Sequence, residues 1–101
     1  MSIIDNLDKI YESLKKLRDN SDNQDDFENI RSQMDQISKQ RETLLDAAID
    51  KATEEYKNAS KKMEEAQVEI NAAIDEISKI TNAINKVAKL ISQIEKLISI
   101  I

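Results

Sequence analysis

Residues 49–101 read IDKATEEYKNASKKMEEAQVEINAAIDEISKITNAINKVAKLISQIEKLISII, and this stretch decides the fold. Apolar side chains recur every three or four positions without a miss: Ile49, Ala52, Tyr56, Ala59, Met63, Ala66, Ile70, Ala73, Ile77, Ile80, Ile84, Val87, Ile91, Ile94, Ile98 and Ile101. In a chain that is 40% apolar, an unbroken series of that length arises by chance on the order of once in a million. The three-four step is the seam of a heptad repeat, a stripe along one helix face that another helix must cover. It predicts an all-α chain, an elongated antiparallel helical bundle or coiled coil forming a single domain over residues 1–101.

The seam has two unequal columns. One carries Ile49, Tyr56, Met63 and then Ile every seventh residue; the other begins Ala52, Ala59, Ala66, Ala73 before turning to Ile and Val. Alanines at that spacing let a facing backbone approach toward the short end of the roughly 8–10 Å interhelix range, so close pairing is expected there. After residue 80 the apolar face widens, with Ala83, Leu90 and Leu97 on one flank and Ala88 on the other. A face that wide requires at least two neighbouring helices, and the first helix of the chain is the natural candidate for one of them.

Upstream, Phe27, Ile30, Met34 and Ile37 keep the step, which then meets Arg41 where an apolar residue is due. Three successive steps of four lead from Ile37 through Arg41 and Leu45 to Ile49, the signature of a stutter that locally unwinds a heptad repeat. Arg41 on the seam has two readings: an ion pair that sets register, with an acid such as Asp46 or Glu42 as partner, or a side chain that snorkels to solvent. Snorkelling is the favoured one. Further upstream, Ile3, Leu7, Ile10, Leu14 and Leu17 step as one helical face, with Ser2 as N-cap and Asp5 in the first turn. The eight polar residues Asp19–Asp26 favour local backbone bonds and mark a turn. A short helix 1 over about 3–19 therefore folds back on a long helix that starts near 24.

Neither Gly nor Pro occurs anywhere, so the strongest local breakers are missing. Two arrangements of residues 24–101 remain open. A continuous helix would run to roughly 115 Å and bury its face against another chain in an antiparallel oligomer. Alternatively, a fold-back at Asn58-Ala59-Ser60 would give an intramolecular three-helix hairpin, although the seam passes through that point unbroken. Residues 77–101 carry four bases against one acid, and residues 22–55 ten acids against four bases. That asymmetry suits an antiparallel arrangement with these segments side by side, at a few tenths of a kcal/mol per exposed pair.

Composition narrows function by exclusion. Without His or Cys the chain lacks the usual neutral-pH base, the thiolate nucleophile and the ordinary ligands of zinc, haem and iron–sulfur centres. A net charge of -5 argues against nucleic-acid binding. No stretch approaches the roughly twenty consecutive apolar residues of a membrane span. Absence of cysteine fits a reducing compartment, so a cytoplasmic location, or export without a cleaved signal peptide, is expected. The acidic residues 19–26 lack the mid-loop Gly and terminal Glu of a calcium loop. The glycosylation pattern Asn58-Ala59-Ser60 lies in a helical stretch without a secretory route and is discounted.

No catalytic, cofactor-binding or metal-ligating residue is expected, and no cofactor. The expected function is that of a non-enzymatic structural or adaptor protein. It would self-associate as a dimer or tetramer through the seam positions Ile49 to Ile98 and present a helical surface to protein partners. The alternative is a membrane-active protein using the amphipathic, cationic segment 77–101 at a lipid interface.

Overall fold

A computed structural model describes residues 2–101. The described chain is all-α: α1 (Ile3–Asn20), α2 (Gln24–Leu45), α3 (Glu54–Asp75) and α4 (Ile80–Ser99), with a short 3-10 turn at Ile77–Lys79 between the last two. The bundle measures 40 × 20 × 19 Å, far shorter than one continuous helix.

The first turn lies where the polar run places it. Ser2 caps α1 by accepting the Asp5 N–H at 3.2 Å, and Asn23 caps α2 by accepting from Asp25 and Asp26 at 2.9 and 3.1 Å. Downstream the structure departs from both expected arrangements. Residues 24–101 do not form one helix, and α3 runs unbroken through 58–60. The breaks fall at 46–53, where the register stutters, and at 76–79. The first carries a local signal: Thr53 caps α3 by accepting the Tyr56 N–H at 3.3 Å, and Glu54 and Glu55 occupy the positive end of the helix dipole. The second carries almost none, because α4 begins with no side-chain cap and no acid in its first turn.

Burial outweighs the cost of bending. Each break forgoes about four helical hydrogen bonds at roughly 1 kcal/mol net apiece. Against this, α4 alone buries Ile80, Val87, Leu90, Ile91, Ile94 and Leu97, each at roughly 1.5–3 kcal/mol. Folding back within the chain covers the stripe without waiting for a second molecule.

Neighbouring helices form a ring in the order α1, α2, α4, α3. Within each hairpin the helices are antiparallel: Asp8 meets Arg41 across α1/α2, and Arg18 lies 5.6 Å over the Phe27 ring at the other end. Between hairpins they are parallel. Gln33 and Gln40 of α2 reach Ile84 and Ile91 of α4 with the same offset in sequence, and Gln67 of α3 reaches Ser13 of α1. The C-terminal third does have two neighbours as its wide face requires, but they are α2 and α3; α1 sits diagonally opposite. The acidic and basic segments also lie side by side as α2 and α4, yet parallel rather than antiparallel, and among the described residues no ion pair joins those two helices.

One continuous core results. The heptad columns Ile30, Ile37, Leu44 of α2 and Ala83, Leu90, Leu97 of α4 are fully or almost fully buried. The centre of the α4 face is thus the column that reads as a flank in the sequence, with Ile84 and Ile98 displaced toward the rim. Among the described residues no helix is long and apolar enough to cross a membrane.

Candidate functional site: a groove between parallel helices

The predicted interface residues are spent mainly inside the chain. Ala59, Met63, Ala66, Ile70 and Ala73 of α3 and Ile80, Val87, Ile91 and Ile94 of α4 are buried in the intramolecular core. Ile49, Tyr56, Ile84 and Ile98 pack against it from the edge. Ala52 and Ile77 lie exposed in the two connecting segments, because each falls where the helix is interrupted. The apolar face of residues 77–101, offered to lipid in the sequence reading, is largely covered by α2 and α3.

Arg41 forms an ion pair, the less favoured of its two readings, but with an acid on another helix. Its Nε donates to Asp8 Oδ1 at 2.6 Å and its terminal amine to Oδ2 at 3.4 Å, a two-pronged contact from α2 to α1. Neither Asp46 nor Glu42 is the partner, and the side chain does not simply run out to water. Asp8 lies one turn from Ile4 and next to Leu7 on α1, within reach of Arg41, so the guanidinium meets a carboxylate before it meets solvent. The hydrogen bond to Asp8, with its charge, raises the Arg41 pKa further above its ordinary value. Arg41 marks the α1/α2 join.

An open depression lies between α1 and α3. A groove of about 700 Å³ runs along this pair, with Ile10, Tyr56 and Met63 in its walls and Lys9, Lys51 and Glu64 among its polar lining. Val68 projects into it and is 65% exposed, although it lies two residues from buried Ala66 and Ile70. That position is on the far side of α3 from the core, where a helix directed only at folding carries a polar residue. Gln67 Nε2 donates to Ser13 Oγ at 2.9 Å and to Asn71 Oδ1 at 3.0 Å, bridging the two helices. A second depression of about 550 Å³ shares Lys9, Gln67 and Asn71 with the first. Ser13, Gln67 and Asn71 place polar groups along the α1/α3 contact beside this opening.

Two other features escape a reading of the seam. Gln33 and Gln40 are 7% and 3% exposed, donate to the Ile84 and Ile91 carbonyls at 2.8 and 2.9 Å, and leave both Oε1 atoms buried without a partner. Their signal is present, since Ile30, Gln33, Ile37, Gln40 and Leu44 form a heptad series whose second column is Gln. On α3, Lys62 lies 3.3 Å from Glu65 and lowers that carboxyl's pKa below the ordinary range.

Among the described residues no three His, Cys, Asp or Glu side chains come together as a metal site. The groove offers apolar contact, amide hydrogen bonds and isolated charges. The sequence matches no protein-family model, and no curated protein or solved structure matches it.

Proposed function

We infer that the chain is a non-enzymatic structural or adaptor protein that presents a helical surface to a protein partner and associates with copies of itself. Val68 carries the first half of this reading: an exposed Val beside Tyr56 and Met63, rimmed by Lys9, Lys51 and Glu64, combines the apolar centre and polar border of a recognition surface. A groove between two parallel helices suits an amphipathic helix, whose apolar side chains lie over Tyr56 and Val68 while its polar flanks meet the lysines. Self-association draws on the exposed apolar residues Leu45, Ile100 and Ile101, each 50% exposed.

Val68→Glu tests the groove, because it places a charge at the apolar centre and leaves the core untouched. The variant should keep the wild-type melting temperature and lose partners recovered by crosslinking in the native cell. An unchanged set of partners overturns the groove. Light-scattering mass tests the second half. The membrane-active alternative requires α4 to leave the bundle, and co-sedimentation with anionic vesicles would favour it over the adaptor reading.

A further inference from the structure

We propose that Asp46–Thr53 is a hinge through which two copies of the chain exchange hairpins, α1–α2 of one packing on α3–α4 of the other. This deepens the self-association inferred above and rests on it, naming the second copy as the partner and the hinge as the means.

The segment is built from helix formers. It contains no Gly or Pro and includes Ala47, Ala48, Lys51 and Ala52, and no described residue has a positive φ. Few side-chain bonds hold the bend: Asp50 Oδ1 accepts the Ala52 N–H at 2.9 Å, and the Thr53 hydroxyl donates to the Asp50 carbonyl at 2.9 Å while capping α3. Straightened, it continues the seam, because Leu45, Ile49, Ala52 and Tyr56 step by four, three and four. Leu45, half exposed in the closed bundle, then joins that stripe.

The hinge also joins the two halves across the weaker plane of the molecule. Of the two parallel contacts, α2/α4 carries the unpartnered Gln33 and Gln40 oxygens and α1/α3 carries the groove. The α3/α4 contact is the most extensive in the molecule. Its turn at 76–79 has no side-chain cap and only an exposed ion pair, Lys79 with Glu76 at 3.4 Å, so it is this extensive contact that keeps the α3–α4 hairpin closed.

Exchange is geometrically consistent. α2 and α3 are antiparallel and diagonal, so a straight helix over residues 24–75 spans about 78 Å, close to twice the 40 Å length of the bundle. Two such helices crossing a two-fold axis place two complete bundles end to end, each built from hairpins of different copies. Every contact between hairpins is remade, which leaves the hinge itself and the cost of association as the difference between closed and exchanged forms.

The cysteine-free chain allows a direct test. Glu28→Cys and Asn71→Cys place spin labels on exposed sites at one end of a bundle 20 Å across. In the exchanged form the same two sites lie about 65 Å apart along one helix. The doubly labelled chain is diluted into excess unlabelled protein, refolded at high concentration, and the dimer fraction is measured by double electron–electron resonance. The expected result is the long distance in the dimer and the short one in the monomer. Asp50→Ala with Thr53→Ala should raise the dimerisation constant roughly 30-fold, because each dimer straightens two hinges. Insertion of two glycines after Ala48 should suppress the dimer. A dimer that retains the short distance overturns exchange and leaves self-association standing. Monomer alone at every concentration, in the wild type and the hinge variant, overturns both.

Discussion

Gln40 is 3% exposed and its side-chain oxygen has no partner, so its replacement by Leu measures what a buried amide contributes between two parallel helices. The orientation of the amide is fixed by its surroundings, since Nε2 faces two acceptors, the Ile91 carbonyl at 2.9 Å and Glu95 Oε1 at 3.0 Å. Gln40→Leu loses both bonds, about 3 kcal/mol in all because one acceptor is a carboxylate. The Ile91 carbonyl keeps its helical partner within α4, and exposed Glu95 returns to water, so neither is left unsatisfied. In exchange, the substitution removes the desolvation cost of Oε1, about 1–3 kcal/mol, and adds apolar burial of similar size. The balance is a gain of about 1 kcal/mol, or roughly 4–8 °C in melting temperature for a domain of this size. Thermal denaturation followed by circular dichroism, with a urea titration to check that the cooperativity is unchanged, reads it directly. Gln33→Leu, about 10.5 Å away along α2, should add independently to within about 0.5 kcal/mol. A fall in stability for both variants would refute the reasoning, because it would mean that the amides gain more from their bonds than Leu gains from the same space.

Four further outcomes follow from the same structure. Leu90→Ala removes a fully buried side chain and should cost about 2–5 kcal/mol, whereas Ile77→Asp, on the exposed 3-10 turn, should change stability by less than about 1 kcal/mol; paired urea titrations check the contrast. Ser2→Ala deletes the cap of α1 and should cost about 1 kcal/mol, visible as early exchange of the amides of the first turn. The Glu65 carboxyl is held below its ordinary pKa by Lys62, so its stabilising contribution is present above the ordinary carboxylate range and is lost as pH falls through the lowered value. Lys62→Met should flatten that part of the melting temperature's acid limb. Asp8→Asn weakens the partner of Arg41, and its effect on melting temperature should shrink in concentrated salt, as expected of a half-exposed pair.

Much of the candidate groove was not legible as a site. Gln67, Ser13 and Asn71 read as ordinary surface polars, and only their meeting across α1 and α3 gives them a shared role. Val68 offered a clue, an apolar residue off the seam, but its significance depends on which helix lies beside it. Arg41 was visibly out of place on an apolar face, yet its partner Asp8 sits 33 positions away and no local spacing connects them. The Gln33 and Gln40 column could have been found by extending the heptad count from Ile30. That step also shows why the register stutters near Arg41: α2 and α3 are separate helices, each with a register of its own.

The sequence by itself determined that the chain is helical, where α1 begins and ends, where α2 begins, and most of the residues that turn inward, because caps and apolar periodicity act within a few residues. It also held the start of α3 in Thr53-Glu54-Glu55. Only the tertiary structure decided that residues 24–101 fold as three helices, that α4 lies against α2 and α3, and that the contacts between hairpins are parallel. The reason is one of range: a seam states that a face must be covered but not by what. With α4 lacking any cap to announce its start, the 76–79 turn exists because closing it buries a stripe of Ile and Leu against the same chain, a gain that no short window of sequence contains.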